Sequence, residues 1–276
     1  MTDFVLGAKA KSAGYRLRAY DTVGSTTTEA IAAGAAGDPG GIWFVATDQT
    51  AGRGRRGRVW QHTPGNLAAT LLIVPDADPA VVATLGFVAG VAIGTALHSI
   101  LPAGTVKVGL DAADGLDGTS RVALKWPNDV LADGAKLVGI GLEATRRDDG
   151  RHAVAIGIGV NIVAAPADLA YPATSLAQLG ANRSAADLFE VLSDAWVDAF
   201  GLWNDGRGIG AVLQRWRASA AGIGAPVAVN QNGEILRGIF ETIDDAGRLI
   251  IRTDDDHRVA ITAGDVHFGA TASARS

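Results

Sequence analysis

The chain contains no cysteine among its 276 residues. That absence excludes disulfides, thiolate metal sites and cysteine nucleophiles together, and it fits the reducing cytoplasm. Positive charge is not in excess either: 24 basic against 29 acidic side chains give a net charge of −5. A protein that lives on nucleic acid usually carries a basic surplus, so this one would have to rely on a local patch. No apolar run near the start is long enough for a signal peptide. The histidines (His62, His98, His152, His257 and His267) are scattered and lack metal-ligand spacing. One stretch, residues 81–101, is long enough to span a bilayer. It is rich in Ala and Gly and carries Thr84, Thr95, His98 and Ser99, so it is expected to be a buried helix with no membrane contact. What the chain does have is apolar bulk. With 48% hydrophobic and 19% charged residues, it can bury a substantial core, as one large domain or a medium domain plus a small one.

Hydropathy patterning predicts strands over residues 15–21, 42–50, 66–74, 121–126, 136–145 and 152–162. Helices are expected from the Ser25 region onward and over 81–101, 187–203 and 209–220. Thr26 and Glu29 have the spacing of a capping box for the first of these. Residues 104–120, rich in Gly and Asp, read as a surface insertion, a hairpin arm. Near Gly222 the composition shifts to short alternating segments separated by turns such as "QNGE" and "DDAG". The expected organisation is a large domain over 1–222 and a small β-barrel over 223–276.

Five stretches could carry chemistry. "GRGRRGR" places Arg53, Arg55, Arg56 and Arg58 among Gly52, Gly54 and Gly57. Glycines let the backbone approach a ligand, and arginines grip phosphate or carboxylate bidentately. A free loop of this kind repels itself, and an anion would order it; the other reading is a solvated nucleic-acid contact. "KWPND" gathers Lys125, Asn128 and Asp129 at a strand end, either as an ordinary turn or as a site. Lys136 opens the next strand, on which Gly139, Gly141 and Glu143 share a face. In "HAVAIGIGVN", Ala153, Ala155, Gly157, Gly159 and Asn161 share a face with almost no side-chain volume. A ligand could fill that gap, or a closely packed helix could. In "GSTTTEA", Ser25 and Thr26 open a helix, where hydroxyls and free amides can bind a carbonyl or carboxylate or act as a simple cap.

Taken together and in this order, these motifs resemble the biotin protein ligase family over roughly residues 14–268. The resemblance implies an α+β fold. Its catalytic domain is a mixed β-sheet of the biotinyl/lipoyl ligase type, similar to class II aminoacyl-tRNA synthetases, with a C-terminal SH3-like barrel. It implies the substrates biotin and ATP, Mg²⁺ as cofactor, and a biotinyl-5′-AMP intermediate. The partner it implies is a biotin carboxyl carrier protein domain, as in acetyl-CoA carboxylase, whose lysine takes the biotinyl group. By the same resemblance Ser25, Thr26, Gln49, Arg53, Gly54, Arg55, Lys136, Gly139 and Gly157 are biotin-binding. Arg55, Arg56, Trp60, Asn128, Lys136 and Asn161 serve the nucleotide. Lys136, Arg55, Lys125 and Asp129 carry the chemistry, and Asp129 is a candidate metal ligand.

Two departures qualify this picture. The family commonly has Ser-Thr-Asn at the helix start, where this chain has Ser25-Thr26-Thr27. Thr27 cannot supply a carboxamide, so its contact with biotin stays open. About 20 residues precede the first motif, fewer than the ~60 of a helix-turn-helix domain, so a cytoplasmic ligase without direct nucleic-acid binding is expected. The family's edge-to-edge homodimer is open to the chain, but no interface is legible. The rivals are a lipoate-type ligase on the same fold and, in a different class, a nucleic-acid-binding module.

Overall fold

A computed structural model describes residues 3–54, 57–101, 122–167, 169, 171–231 and 234–268. The expected hairpin arm over 104–120 lies outside the described residues. The first sheet has seven strands: β1 (Arg16–Tyr20), β2 (Ile42–Ala46), β3 (Leu67–Ile73), β4 (Val122–Lys125), β5 (Asp129–Ala132), β6 (Ala135–Arg146) and β7 (His152–Val160). Their order is β1-β2-β3-β7-β6-β5-β4. β1 and β2 are parallel and the other neighbours antiparallel.

The two faces of this sheet differ as the strand alternation dictates. Ile156, Ile158 and Val160 of β7, Val138 and Ile140 of β6 and Leu71 of β3 are buried in the main core. That core also holds α4 (Leu85–Ile100), α5 (Ala185–Trp203) and α6 (Ile209–Ala218). The long apolar stretch of the sequence is therefore an interior helix: eleven residues of α4 are buried. It is preceded by the short α3 (Pro79–Val82). Trp43, Trp196 and Phe189 meet edge-on in the same core. The opposite face carries a smaller cluster of Ala30, Ile42, Phe44, Leu72, Ala153 and Ala155 beneath α2 (Thr26–Ala35).

α2 begins one residue earlier than its capping-box spacing suggests. Ser25, not Thr26, is the N-cap, accepting from the Thr28 amide at 3.4 Å. Glu29 instead accepts from the Tyr20 hydroxyl, and Thr26 is freed to point into the sheet. At α5, Ser184 and Asp187 form a reciprocal capping box. α1 (Ala8–Ser12), which the periodicity did not mark, is held by Asp194 on the Ala10 amide at 2.9 Å.

The C-terminal sheet comprises β8 (Pro226–Gln231), β9 (Glu234–Ile243), β10 (Leu249–Arg252), β11 (Arg258–Ile261) and β12 (Asp265–Phe268), ordered β11-β10-β9-β8-β12 and antiparallel throughout. It is tied to the first sheet through Trp126, whose indole N–H donates to the Gly247 carbonyl at 2.9 Å. Phe87 of α4 also packs closely against Gly247.

Candidate active site

The pairing of β6 with β7 sets Gly139 beside Gly159 and Gly141 beside Gly157. β3 extends the two rows with Ala68 and Thr70. Because residues two apart share a face, these positions form a floor with little side-chain volume. Its parts are covered differently. Toward Ala153 and Ala155, α2 packs closely: a Cβ on Gly34 would lie 2.6 Å from that of Ala153. At the other end the Trp60 indole lies on the glycines, since a Cβ on Gly159 or Gly139 would come within 2.5 or 2.6 Å of its ring. Between them, a Cβ on Gly141 would meet nothing within 4 Å. Close helix packing and open space, the two readings of this face, describe different parts of it.

One side of the open space is a line of hydroxyls. The Thr26 amide and hydroxyl both donate to Gln49 Oε1, at 2.9 and 3.2 Å. Thr26 Oγ1 is 2.8 Å from Thr70 Oγ1, which is 3.2 Å from Thr27 Oγ1. Thr26 and Thr70 are buried. Sequence reasoning took residues 66–74 as an apolar strand and passed over Thr70. Its signal was a lone hydroxyl in the middle of a strand buried at every position. A parallel bridge between Val23 and Gln49 holds the start of the Arg-Gly loop beside the start of α2.

The other side is charged. Lys125 faces Asp129 across β4 and β5, and Asp129 faces Gly139 across β5 and β6. Lys136 Nζ lies 2.8 Å from Asp129 Oδ1. That buried oxygen has no aligned hydrogen-bond donor, so the contact is an ion pair. The Lys136 ammonium is also 5.6 Å from the Trp60 ring centroid and 5.4 Å from that of Tyr171, both within cation–π range. Burial pushes the Lys125 pKa down. The Asp129 charge opposes this, Lys136 adds to it, and Asp265 opposes it. Asn128 straps β6: its side-chain amide donates to the Ile140 carbonyl, and its own carbonyl accepts from the Ile140 amide. Asn161 is 2% exposed, with its side-chain N–H on the Thr174 carbonyl at 3.0 Å and its main-chain N–H on Leu137. Asn66 supports it from below, its Oδ1 accepting from the Ile162 and Val163 amides at 2.8 and 2.9 Å.

The Arg-Gly loop doubles back on itself. Gly54 N–H donates to the Arg58 carbonyl and Trp60 N–H to the Gly52 carbonyl, at 2.8 and 3.0 Å. This short hairpin delivers Trp60 to the glycine floor. Gly52 is required there, because a Cβ would lie 2.5 Å from the Trp60 carbonyl oxygen. Arg53 pairs with Glu143 at 3.0 Å and Arg58 with Asp265 of β12 at 2.5 Å. All four side chains are at least a third exposed, and such pairs contribute about 0–1 kcal/mol each. Arg55 and Arg56 lie outside the described residues. Among the described residues no three His, Asp or Glu side chains converge as a metal site.

The chain matches the Biotin/lipoate A/B protein ligase family over residues 33–161 and the Biotin protein ligase C terminal domain over residues 222–269. A biotin–[acetyl-CoA-carboxylase] ligase of Paracoccus denitrificans is 39% identical over 251 residues, covering 89% of this chain and 97% of that protein. Its counterpart in Mycobacterium tuberculosis is 34% identical over 266 residues, 92% of this chain and 90% of that one. A biotin protein ligase from Aquifex aeolicus, solved with biotin and ATP, shares the fold. Its TM-score is 0.73 at 20% identity, over 92% of this chain and 99% of that one. The glycine floor, the lysine–aspartate pair and the arginine loop thus lie within a chain that belongs to the biotin protein ligase family.

Proposed function

We propose that the protein activates biotin with ATP to biotinyl-5′-AMP and then passes the biotinyl group to a lysine of a biotin carboxyl carrier protein domain. The observation that carries this reading is the open space over Gly141, with the hydroxyls beside its neighbour Gly157 on one side and Lys136 on the other. A flat ring fits the first, and its carboxylate tail is drawn to the second.

A carboxylate is a poor electrophile. In the first step its oxygen attacks the α-phosphorus and pyrophosphate leaves. Negative charge grows on the phosphorus oxygens, and a fixed cation in a poorly hydrated cleft stabilises it. Lys136 is that cation, and Arg55 is assigned the same task from its place in the motif. In the second step the carrier lysine's amine attacks the acyl carbon and AMP leaves. Asp129 is assigned as the acceptor of the amine's proton, with Lys125 facing it across β4 and β5. Trp60 and Asn161 are assigned to the adenine side. A Mg²⁺ ion would neutralise phosphate charge. Asp129 would be its protein ligand, with phosphate oxygens and water completing the set.

The test is pyrophosphate release from ATP by the purified protein. Biotin should support it and lipoate should not. Release that depends on lipoate and ignores saturating biotin would overturn the reading in favour of a lipoate-type ligase.

A further inference from the structure

Two buried asparagines meet where β3 begins and β7 ends. Asn66 precedes Leu67, which pairs with Val160, and Asn161 follows Val160. Both residues are 2% exposed, so their polar atoms need partners inside the protein. Those partners fix which way each amide is turned. The backbone N–H groups of Ile162, Val163 and Ala164 converge on one Asn66 atom from 2.8, 2.9 and 3.4 Å. An N–H only donates, so that atom is the carbonyl oxygen. Asn66 Nδ2 then donates to the Ala164 carbonyl at 2.8 Å. Asn161 is set in the same way. The Thr174 and Lys136 carbonyls lie 3.0 and 3.5 Å from one of its atoms, which must be Nδ2. Its Oδ1 therefore faces Asn66 Nδ2, at 3.5 Å.

These bonds fasten both ends of one excursion of the chain. Where it leaves β7, residues 162–164 wrap the Asn66 oxygen. Where it returns, Lys136 N–H donates to the Pro172 carbonyl at 2.8 Å and Thr174 N–H to the Lys136 carbonyl at 2.9 Å. The result is a single parallel bridge between Lys136 and Ala173, and Asn161 holds the Thr174 carbonyl beside it. Tyr171, just before the bridge, is the residue whose ring lies 5.4 Å from the Lys136 ammonium.

We infer that Asn66 is a positioning residue for adenylate formation: through Asn161 and the 162–164 turn it fixes the 172–174 segment against the main chain of Lys136. This rests on the ligase reading of the site. Asn66 acts through these partners and not by contact with substrate. It lies two residues from Ala68, the partner of the Gly159 that Trp60 covers, and four from Thr70. The nucleotide half of the reaction should therefore depend on it and the ring of biotin should not.

Asn66→Asp tests the donor arm alone. It is nearly isosteric, keeps an oxygen for the three amides, and loses the N–H groups that reach Ala164 and Asn161. Asn66→Ala removes both arms. The experiment follows biotin-dependent pyrophosphate release by the purified proteins, with kcat, KM for ATP and KM for biotin measured separately. Asn66→Asp should lose about tenfold in kcat/KM for ATP, the cost of buried acceptors left without their donor, while the biotin KM stays within about twofold of wild type. Asn66→Ala, where it folds, should lose more in the same parameter. In an Asn161→Ala background, Asn66→Asp should cost less than about threefold further, because members of one network do not add. A role in stability alone would lower Tm and leave kcat and both KM values of the folded protein unchanged. That result in Asn66→Asp would overturn the inference, as would equal shifts in the two KM values or losses that multiply in the double variant. A wild-type protein that releases no pyrophosphate with biotin would overturn the ligase reading and the inference with it.

Discussion

An arriving carboxylate or phosphate must compete with Asp129 for Lys136, which lies 2.8 Å away and is mostly buried. Removing the lysine takes the cation from the developing charge and leaves Asp129 without its ion-pair partner. Lys136→Ala should slow biotin-dependent pyrophosphate release by about 10²–10³-fold, the usual effect of losing one electrostatic stabiliser. Release at the wild-type rate would remove Lys136 from the chemistry. Lys125 offers a second test, through stability. Burial holds its pKa below the ordinary lysine value, so the fold carries a cost while the side chain is charged. With the folded pKa below the unfolded one, stability rises as pH climbs through the folded pKa toward the unfolded one. Lys125→Met should therefore melt about 2 °C or more above wild type at neutral pH. The difference should narrow as the pH becomes alkaline. A gap that widens with pH would contradict the assigned sign.

At the scale of the elements, the small-residue face of β7 divides its length between helix packing, open floor and the Trp60 indole. Two substitutions separate the last two. Gly159→Ala puts a Cβ 2.5 Å from the indole, and overpacking of this kind costs about 1–3 kcal/mol. Its Tm should fall and its KM for ATP should rise. Gly141→Val meets open space, so its Tm should stay near wild type while the biotin KM rises by about tenfold or more, by intrusion into a space the ring needs. An unchanged biotin KM would place the ring elsewhere. The loop gives a further prediction. Arg55→Gly should let the adenylate escape and label bystander lysines, and labelling confined to the carrier would rule out a retaining role.

Much of this was legible in the sequence because alternation exposes a strand's two faces. Gly139 and Gly141 could be assigned to one face of their strand and Gly157 and Gly159 to one face of theirs, while the pairing that puts all four on one side came with the fold. What alternation cannot show is which neighbour crosses that side. Trp60 reaches the glycines through a hairpin whose bonds are between backbone groups, and Thr70 meets Thr26 and Thr27 only once β3 and α2 are in place. β5 was hidden because four residues after a proline turn are too few for a period to register. The cap at Ser25 was misplaced by one residue for a similar reason: Ser, Thr and Thr in a row all have cap chemistry, and only packing decides among them.

At the scale of the molecule, the two sheets meet beside Lys125 and the arginine loop. Lys125 Nζ lies 5.9 Å from the Phe268 ring of β12, and Arg58 of the loop pairs with Asp265 of the same strand. The small sheet thus borders both the lysine–aspartate end of the floor and the loop that carries Trp60. The most direct measurement is transfer of labelled biotin to a purified carrier domain by the purified protein. The account predicts labelling of the single acceptor lysine that requires both biotin and ATP and releases AMP and pyrophosphate in equal amounts. No labelling with active carrier, or labelling that proceeds without ATP, would contradict it.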